Sequence, residues 1–197
     1  MGNFTSKKGQ NLETFEWDNV WWEHTENNSA KRILYIGDSI SCGVRNQINL
    51  LSKQEVLCDG FGTSKALDNP HFKPSLELFM QQQNKCDVIL FNNGLHGWHL
   101  SDAEYKKYFD EMLCFLSKAG KPIYILLTTN YLSDEKKAQI VKARNEIAKD
   151  LAIKHHIPTI DLYSVSINHT EYYVPDCVHF NDNGYEVMAR LILENIF

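Results

Sequence analysis

The chain has 197 residues, 43% of them hydrophobic, which suffices for one sizeable core and is short for two domains. Acidic residues outnumber basic ones by 25 to 20, which gives a formal net charge of −5, and no basic block occurs. We therefore expect neither nucleic acid nor an anionic membrane as a partner. No apolar run reaches the roughly 18 residues that a membrane-spanning helix needs.

The five cysteines are odd in number and lack Cys-x-x-Cys spacing. This pattern favours reduced thiols over a disulfide framework or a zinc site. The polar N-terminal stretch lacks the apolar centre of a signal peptide. We expect a cytoplasmic protein, or an exported one whose leader has been removed, and the oligomeric state stays open.

The first part of the chain, residues 1–30, carries several aromatic residues without clear periodicity. We predict that it wraps over a single domain formed by residues 31–197. In that domain, the short apolar runs that favour strands are Ile33–Ile36, Glu55–Cys58, Val88–Phe91, Ile123–Thr128 and Thr159–Leu162. The longer stretches that favour helices are Ile40–Leu51, Ser75–Gln83, Asp102–Lys118, Asp134–Lys154 and Asn181–Asn195.

This alternation predicts a flavodoxin-like, three-layer α/β/α sandwich, in which helices cover both faces of a sheet of five parallel strands. Ligands of such sheets bind outside the carboxyl ends of the strands, at a topological switch point. Ser39 follows the first predicted strand, and the segment 92–96 follows the third. We therefore expect these two segments to meet at one edge of the sheet.

Ser39 lies where the first predicted strand turns into a helix, in the sequence Gly37-Asp38-Ser39. Gly37 permits a tight turn, and a hydroxyl at a helix N-terminus lies near backbone N–H groups that favour developing negative charge. The plain alternative is that Asp38 and Ser39 only cap the helix, as such residues usually do. Taken alone, the tripeptide indicates a cap more often than a nucleophile.

A second motif, Asp176-Cys177-Val178-His179, precedes the last predicted helix. A carboxylate three residues before a histidine can hold one ring nitrogen and leave the other facing a hydroxyl. Aspartate and histidine are also common loop residues, so the pair indicates little by itself. Together with Ser39, however, it supplies the residue types of a hydroxyl nucleophile, its base and the group that orients the base.

The two motifs together resemble those of the SGNH hydrolases, also called the GDSL lipases and esterases. The resemblance extends over residues 31–197 and implies a three-layer fold around a five-stranded parallel sheet. It implies that Ser39 is the nucleophile, His179 the general base and Asp176 the residue that orients it. It implies no metal and no organic cofactor.

The resemblance also implies backbone donors to an oxyanion. The N–H of Ser39 would be one of them. A glycine after the second strand would supply another, and we favour Gly62, with Gly60 as the alternative.

The third block of the family departs from its usual form here. Family members usually carry Gly-x-Asn-Asp after the third strand, whereas this chain has Gly94-Leu95-His96-Gly97. His96 therefore takes the position of the asparagine, and an imidazole N–H can donate to an oxyanion. A shifted loop would instead supply the amide of Asn92 or Asn93, and of these we favour Asn93. Some branches of the family share the Gly-Leu-His loop.

The predicted activity is hydrolysis of a carboxylic ester through an acyl-serine intermediate. Aromatic residues such as Trp98 favour a short or carbohydrate-linked acyl group.

One alternative is a binding protein of the same fold, whose altered third block holds an ester or glycan without cleaving it. Another is a module that binds phosphate or a nucleotide, although the first loop lacks a Gly-x-Gly-x-x-G or Walker pattern. His96 and His99 have no further ligand at helical spacing, so we expect no metal there.

Overall fold

The computed structural model describes residues 12–83 and 85–197 of the chain. Its strands are β1 (Asp18–Trp21), β2 (Lys31–Gly37), β3 (Val56–Thr63), β4 (Val88–Phe91), β5 (Ile123–Leu127) and β6 (Thr159–Asp161). They form one sheet in the order β1-β3-β2-β4-β5-β6. Strands β2 to β6 run parallel to one another, and β1 pairs antiparallel with β3 at the edge.

Helices cover both faces of the sheet. They are α1 (Ser39–Leu51), α2 (Phe72–Gln82), α3 (Asp102–Ser117), α4 (Glu135–His155), α5 (Leu162–Asn168) and α6 (Asp182–Ile196), with a 3-10 turn at Thr170–Tyr172. Within the described residues, no helix is long and apolar enough to cross a membrane.

The core is divided by the sheet, because successive side chains of a strand point to opposite faces. In β2, Leu34 and Ile36 belong to the buried cluster formed with α2 and α3. Ile33 and Tyr35 belong to the cluster on the other face, formed with α1 and α6. The predicted three-layer α/β/α architecture is therefore confirmed.

The five predicted parallel strands are present, but the sheet has six strands and not five. Residues Asp18–Trp21, which we expected only to wrap over the domain, form the additional strand β1. Strand β3 runs to Thr63, paired with β2 as far as Gly62 and with β1 as far as Thr63, well beyond Cys58, where the sequence predicted its end. The short helix α5 was also not predicted, because its seven residues are too few to show a period.

Strand β2 lies at the topological switch point, because β3 is its neighbour on one side and β4 on the other. The carboxyl ends of β2 and β4 lie at the same edge, since the two strands are parallel with Ile36 opposite Phe91. The segments that follow these strands therefore meet there, as predicted from the alternation of elements.

Candidate active site

Ser39 is the first residue of α1 and stands directly beyond the carboxyl end of β2. Asp38 caps the helix, because its Oδ1 accepts the N–H of Ile40 at 2.9 Å. The turn is tight, since a Cβ on Gly37 would lie 2.8 Å from the Cβ of Ser41. As the first helical residue, Ser39 has no intrahelical acceptor for its N–H. The partly exposed serine therefore presents a hydroxyl and a first-turn N–H at a helix N-terminus.

Two consecutive hydrogen bonds connect Ser39 to His179 and His179 to Asp176. Oγ of Ser39 lies 2.7 Å from Nε2 of His179, and Nδ1 of His179 lies 2.6 Å from Oδ2 of Asp176. At these distances a hydroxyl can pass its proton to the imidazole while the carboxylate holds the opposite ring nitrogen. The side chains of His179 and Asp176 are 39% and 50% exposed, so the site opens directly to solvent.

The loop that carries this pair is shaped by Asp176 itself. Its Oδ1 accepts the N–H of Val178 at 2.8 Å and that of His179 at 2.9 Å. Cys177, which lies between Asp176 and Val178, adopts a left-handed conformation with φ of 60°. Burial acts to raise the pKa of Asp176, but the hydrogen bonds from these N–H groups and from the imidazole outweigh it and hold the pKa below its ordinary value. Asp176 is therefore ionised at neutral pH and can fix the imidazole tautomer.

Asp38 connects the serine loop electrostatically to a second histidine. Its carboxyl is 1% exposed, and Oδ2 has no hydrogen-bond partner in the described part of the chain. Burial raises the pKa of Asp38, and the charge of His96, the N–H of Ile40 and the charge of His179 only partly offset this. The acid directly before Ser39 is therefore buried and has a raised pKa, and it braces the serine loop by capping α1.

Buried Arg144 of α4 holds the loop that contains the third block. Its side chain is 1% exposed, and Nη1 donates to the carbonyl oxygens of Gly94 at 3.0 Å and His96 at 2.6 Å. Nη2 donates to the carbonyl oxygen of Gly97 at 2.6 Å. One guanidinium therefore fixes the backbone on both sides of His96.

Replacing Arg144 by methionine is expected to lower the free energy of unfolding by about 3 kcal/mol, because three carbonyl oxygens lose a buried donor. Urea unfolding would measure the loss. The control is Arg190→Met, which removes an exposed ion pair with Glu186 and should cost less than about 0.5 kcal/mol. Equal losses in the two variants would contradict a special role for Arg144 in holding the loop.

The two asparagines before this block are bound to the scaffold. Nδ2 of Asn93 donates to the carbonyl oxygen of Lys65 at 3.0 Å, and Nδ2 of Asn92 donates to the carbonyl oxygen of Leu126 at 2.8 Å. Both side chains are buried. The amide donors of both asparagines are therefore engaged with the scaffold, which favours His96 over Asn93 as the side-chain donor to an oxyanion.

The two candidate glycines of the second block lie inside β3 and not after it. The N–H of Ser64 donates to the carbonyl oxygen of Trp17 at 3.1 Å, which extends the antiparallel pairing of β1 with β3. Hydrogen-bonded pairs alternate along such a ladder, so the N–H groups of Gly62 and Gly60 point to β1. The prediction that either amide donates to an oxyanion is therefore wrong, because the unpredicted strand uses both. Gly62 instead permits close packing, since a Cβ there would lie 2.6 Å from Sγ of Cys42.

Three residues near the site were not identified from the sequence as parts of it: Arg144, Trp17 and Glu13. Arg144 offered a usable signal, because a charged residue on the apolar stripe of a helix is rarely buried unless it is paired. Trp17 was grouped with the other aromatic residues of the first segment. Its ring packs edge-on against His96, with 6.5 Å between the ring centroids. Glu13 offered no local signal, because its contact with Gly97 spans 84 positions of the chain.

The histidines of the third block do not form a metal site in the described structure. His99 pairs with Asp68 at 2.9 Å, whereas His96 faces Trp17. The described residues contain one group with metal-ligand chemistry, formed by Asp110, Cys114 and His155, whose ligand atoms lie within 4.8 Å of one another. His155 ends α4, just before β6 begins, so this group belongs to the edge of the sheet opposite Ser39.

Solved structures of other proteins share the fold described above. No protein-family model and no curated protein matches the sequence, but solved structures do. An α/β hydrolase from the metagenome of Lake Arreo has a TM-score of 0.70 at 14% identity, and the match covers 84% of this chain and 95% of that one. The fold is therefore one that hydrolases use.

Two further structures define the fold more closely. A lipolytic protein of the G-D-S-L family from Veillonella parvula has a TM-score of 0.66 at 21% identity, over 85% of this chain and 98% of that one. An acetylxylan esterase from Geobacillus stearothermophilus has a TM-score of 0.68 at 15% identity, over 85% and 94%. At these identities the likeness establishes the fold, and the predicted SGNH-type fold is confirmed.

Proposed function

We propose that this protein is a serine hydrolase that cleaves carboxylic esters. The observation that carries the proposal is the hydrogen-bonded series Ser39, His179 and Asp176 at the switch point of the sheet. Nε2 of His179 takes the hydroxyl proton while Oγ of Ser39 attacks the ester carbonyl carbon. The tetrahedral intermediate collapses as His179 gives that proton to the departing alcohol oxygen, which leaves an acyl-serine.

Water completes the reaction at the same residues. His179 takes a proton from the water as it attacks the acyl carbon, and Ser39 leaves and recovers a proton from His179. In both steps the negative charge on the former carbonyl oxygen faces the first-turn N–H of Ser39 and, in our proposal, the ring of His96. Donors fixed in a buried loop stabilise this charge without having to reorganise.

We infer that the acyl group is short and that its alcohol is a carbohydrate. The half-exposed triad accommodates a substrate that is much larger than the acyl group itself. Trp98 packs edge-on against Tyr131, and the N–H of the next residue, Leu132, donates to the carbonyl oxygen of Cys177 at 3.1 Å. These aromatic rings therefore lie beside the histidine loop, where aromatic side chains can line a site for a sugar. The acetylxylan esterases among the structural neighbours act on such esters.

Labelling with a fluorophosphonate tests the nucleophile. We expect one covalent adduct, located at Ser39 by peptide mass spectrometry, and none in the Ser39→Ala variant or in urea-unfolded protein. p-Nitrophenyl acetate should be hydrolysed at least about tenfold faster than the octanoate if the acyl pocket is small. A folded protein that binds acetylated oligosaccharides but takes no label would be a binding protein, and the proposal would be wrong.

A further inference from the structure

The segment before β1 covers the third-block loop and brings a carboxylate to it. Oε1 of Glu13 accepts the N–H of Gly97 at 2.7 Å. The same oxygen lies 3.7 Å from Nδ1 of His96, an ion-pair distance that is too long for a hydrogen bond. The side chains of Glu13 and His96 are only 20% and 18% exposed, so solvent screens their interaction weakly.

The segment is held in place independently of Glu13. The N–H of Trp17 donates to Oγ of Ser64 at 2.8 Å, and the carbonyl oxygen of Trp17 accepts the N–H of Ser64 at 3.1 Å. The N–H of Glu13 donates to Oε1 of Glu16 at 2.9 Å, which orients the backbone at Glu13. Trp17 also packs edge-on against His96. The carboxylate and the imidazole are therefore brought together by backbone pairing at the sheet edge.

The charges around His96 come from three sides. Glu13 lies at Nδ1, Asp38 lies within electrostatic reach from the serine loop, and Arg144 donates to the carbonyl oxygen of His96 from α4. Burial acts to raise the pKa of Glu13, but His96 and the N–H of Gly97 outweigh it, with a small contribution from His99, so the pKa is lowered. Glu13 is therefore ionised at neutral pH and lies at ion-pair distance from the ring.

The ring of His96 can face a substrate only on the side away from Glu13. Its Nδ1 lies beside the carboxylate, so Nε2 is the nitrogen left for the substrate side. A carboxylate beside Nδ1 therefore determines which edge of the ring is presented.

We propose that Glu13 is a positioning residue, which holds the third-block loop at Gly97 and orients the ring of His96 so that its Nε2 edge faces the oxyanion. This inference rests on the proposed ester hydrolysis and deepens it. It gives the N-terminal segment a part in the reaction and explains how a histidine can replace the asparagine that the family usually carries.

A double-mutant cycle between Glu13→Gln and His96→Asn tests the coupling. Glutamine keeps the carbonyl oxygen that accepts the N–H of Gly97, so the segment stays docked while its charge is lost. In the wild-type background we expect Glu13→Gln to lower kcat about tenfold with little change in KM, because the charge acts in the transition state. In the His96→Asn background, where an amide donates and no ring remains to be oriented, the same change should cost less than about twofold.

The matched control is Glu16→Gln, which removes one negative charge from the same segment, keeps the acceptor for the N–H of Glu13 and does not approach His96. Its kcat should stay within about twofold of the wild type. Thermal unfolding of each variant separates catalytic losses from unfolding.

The outcomes are distinguishable. A loss from Glu13→Gln that is equal in both backgrounds would mean that Glu13 only docks the loop, and the inference would be overturned. It would also be overturned if His96→Ala, which leaves no side-chain donor, lost less than about twofold while Ser39→Ala was inactive, yet ester hydrolysis would stand. Full activity of Ser39→Ala would instead overturn the proposed function itself.

Discussion

Replacing Ser39 by alanine is expected to lower ester hydrolysis at least about a thousandfold, because the variant lacks the attacking oxygen that lies 2.7 Å from Nε2 of His179. Initial rates with p-nitrophenyl acetate would measure the loss. The free energy of unfolding should change by less than about 0.5 kcal/mol, since the partly exposed hydroxyl makes a single hydrogen bond to a half-exposed ring.

The control for this variant is Ser41→Ala. Ser41 lies two residues further along α1, and its buried hydroxyl donates to the carbonyl oxygen of Asp38 at 2.6 Å. Its removal should cost about 1 kcal/mol of stability and change the rate less than about fivefold. If Ser39→Ala lost no more activity than Ser41→Ala, the serine would not be the nucleophile.

Replacing Asp176 by asparagine is expected to lower kcat by about a thousandfold or more. The amide oxygen can still accept the N–H groups of Val178 and His179, which shape the loop. The amide nitrogen would then face Nδ1 of His179 and donate to it, so the ring hydrogen would move to Nε2. A ring protonated at Nε2 cannot accept the proton of Ser39. Stopped-flow or steady-state rates with an activated acetate ester would measure the effect.

The control here is Asp182→Asn, which removes an exposed carboxylate from the first turn of α6, close in sequence to His179. Its rate should remain within about twofold of the wild type. If the two variants lost activity equally, the effect would be one of general charge near the site and not of the bond to Nδ1.

The parallel strands and the longer helices could be predicted because their signals are local. Each strand from β2 to β6 is a short apolar run, and helices α1 to α4 and α6 show amphipathic spacing or terminal residues that act as caps. Asn181, for example, accepts the N–H of Gly184 at 3.0 Å and begins α6 where the sequence predicted a helix. Strand β1 could not be predicted, because its four residues are exposed and lack alternation. Its conformation depends on the free edge of β3.

The error at Gly62 follows from this missing strand. The sequence predicts a loop after Cys58, in which a glycine amide would be available to a ligand. Once β1 pairs with β3, the N–H of Gly62 belongs to the ladder. A local motif was therefore interpreted correctly as a place of close approach, whereas its hydrogen-bonding role depended on a partner that is distant in the sequence.

By itself, the sequence determined the three-layer fold and the identity of Ser39, Asp176 and His179 as candidates, because strand–turn–helix junctions and the Asp-x-x-His spacing are properties of short segments. Only the tertiary structure decided which distant groups surround them. Arg144 reaches the third-block loop from α4, and Glu13 reaches it from the first segment. The physical reason is that the path of the whole chain determines which groups surround a charged side chain. These groups are distant in the sequence, so no local pattern can predict the contact.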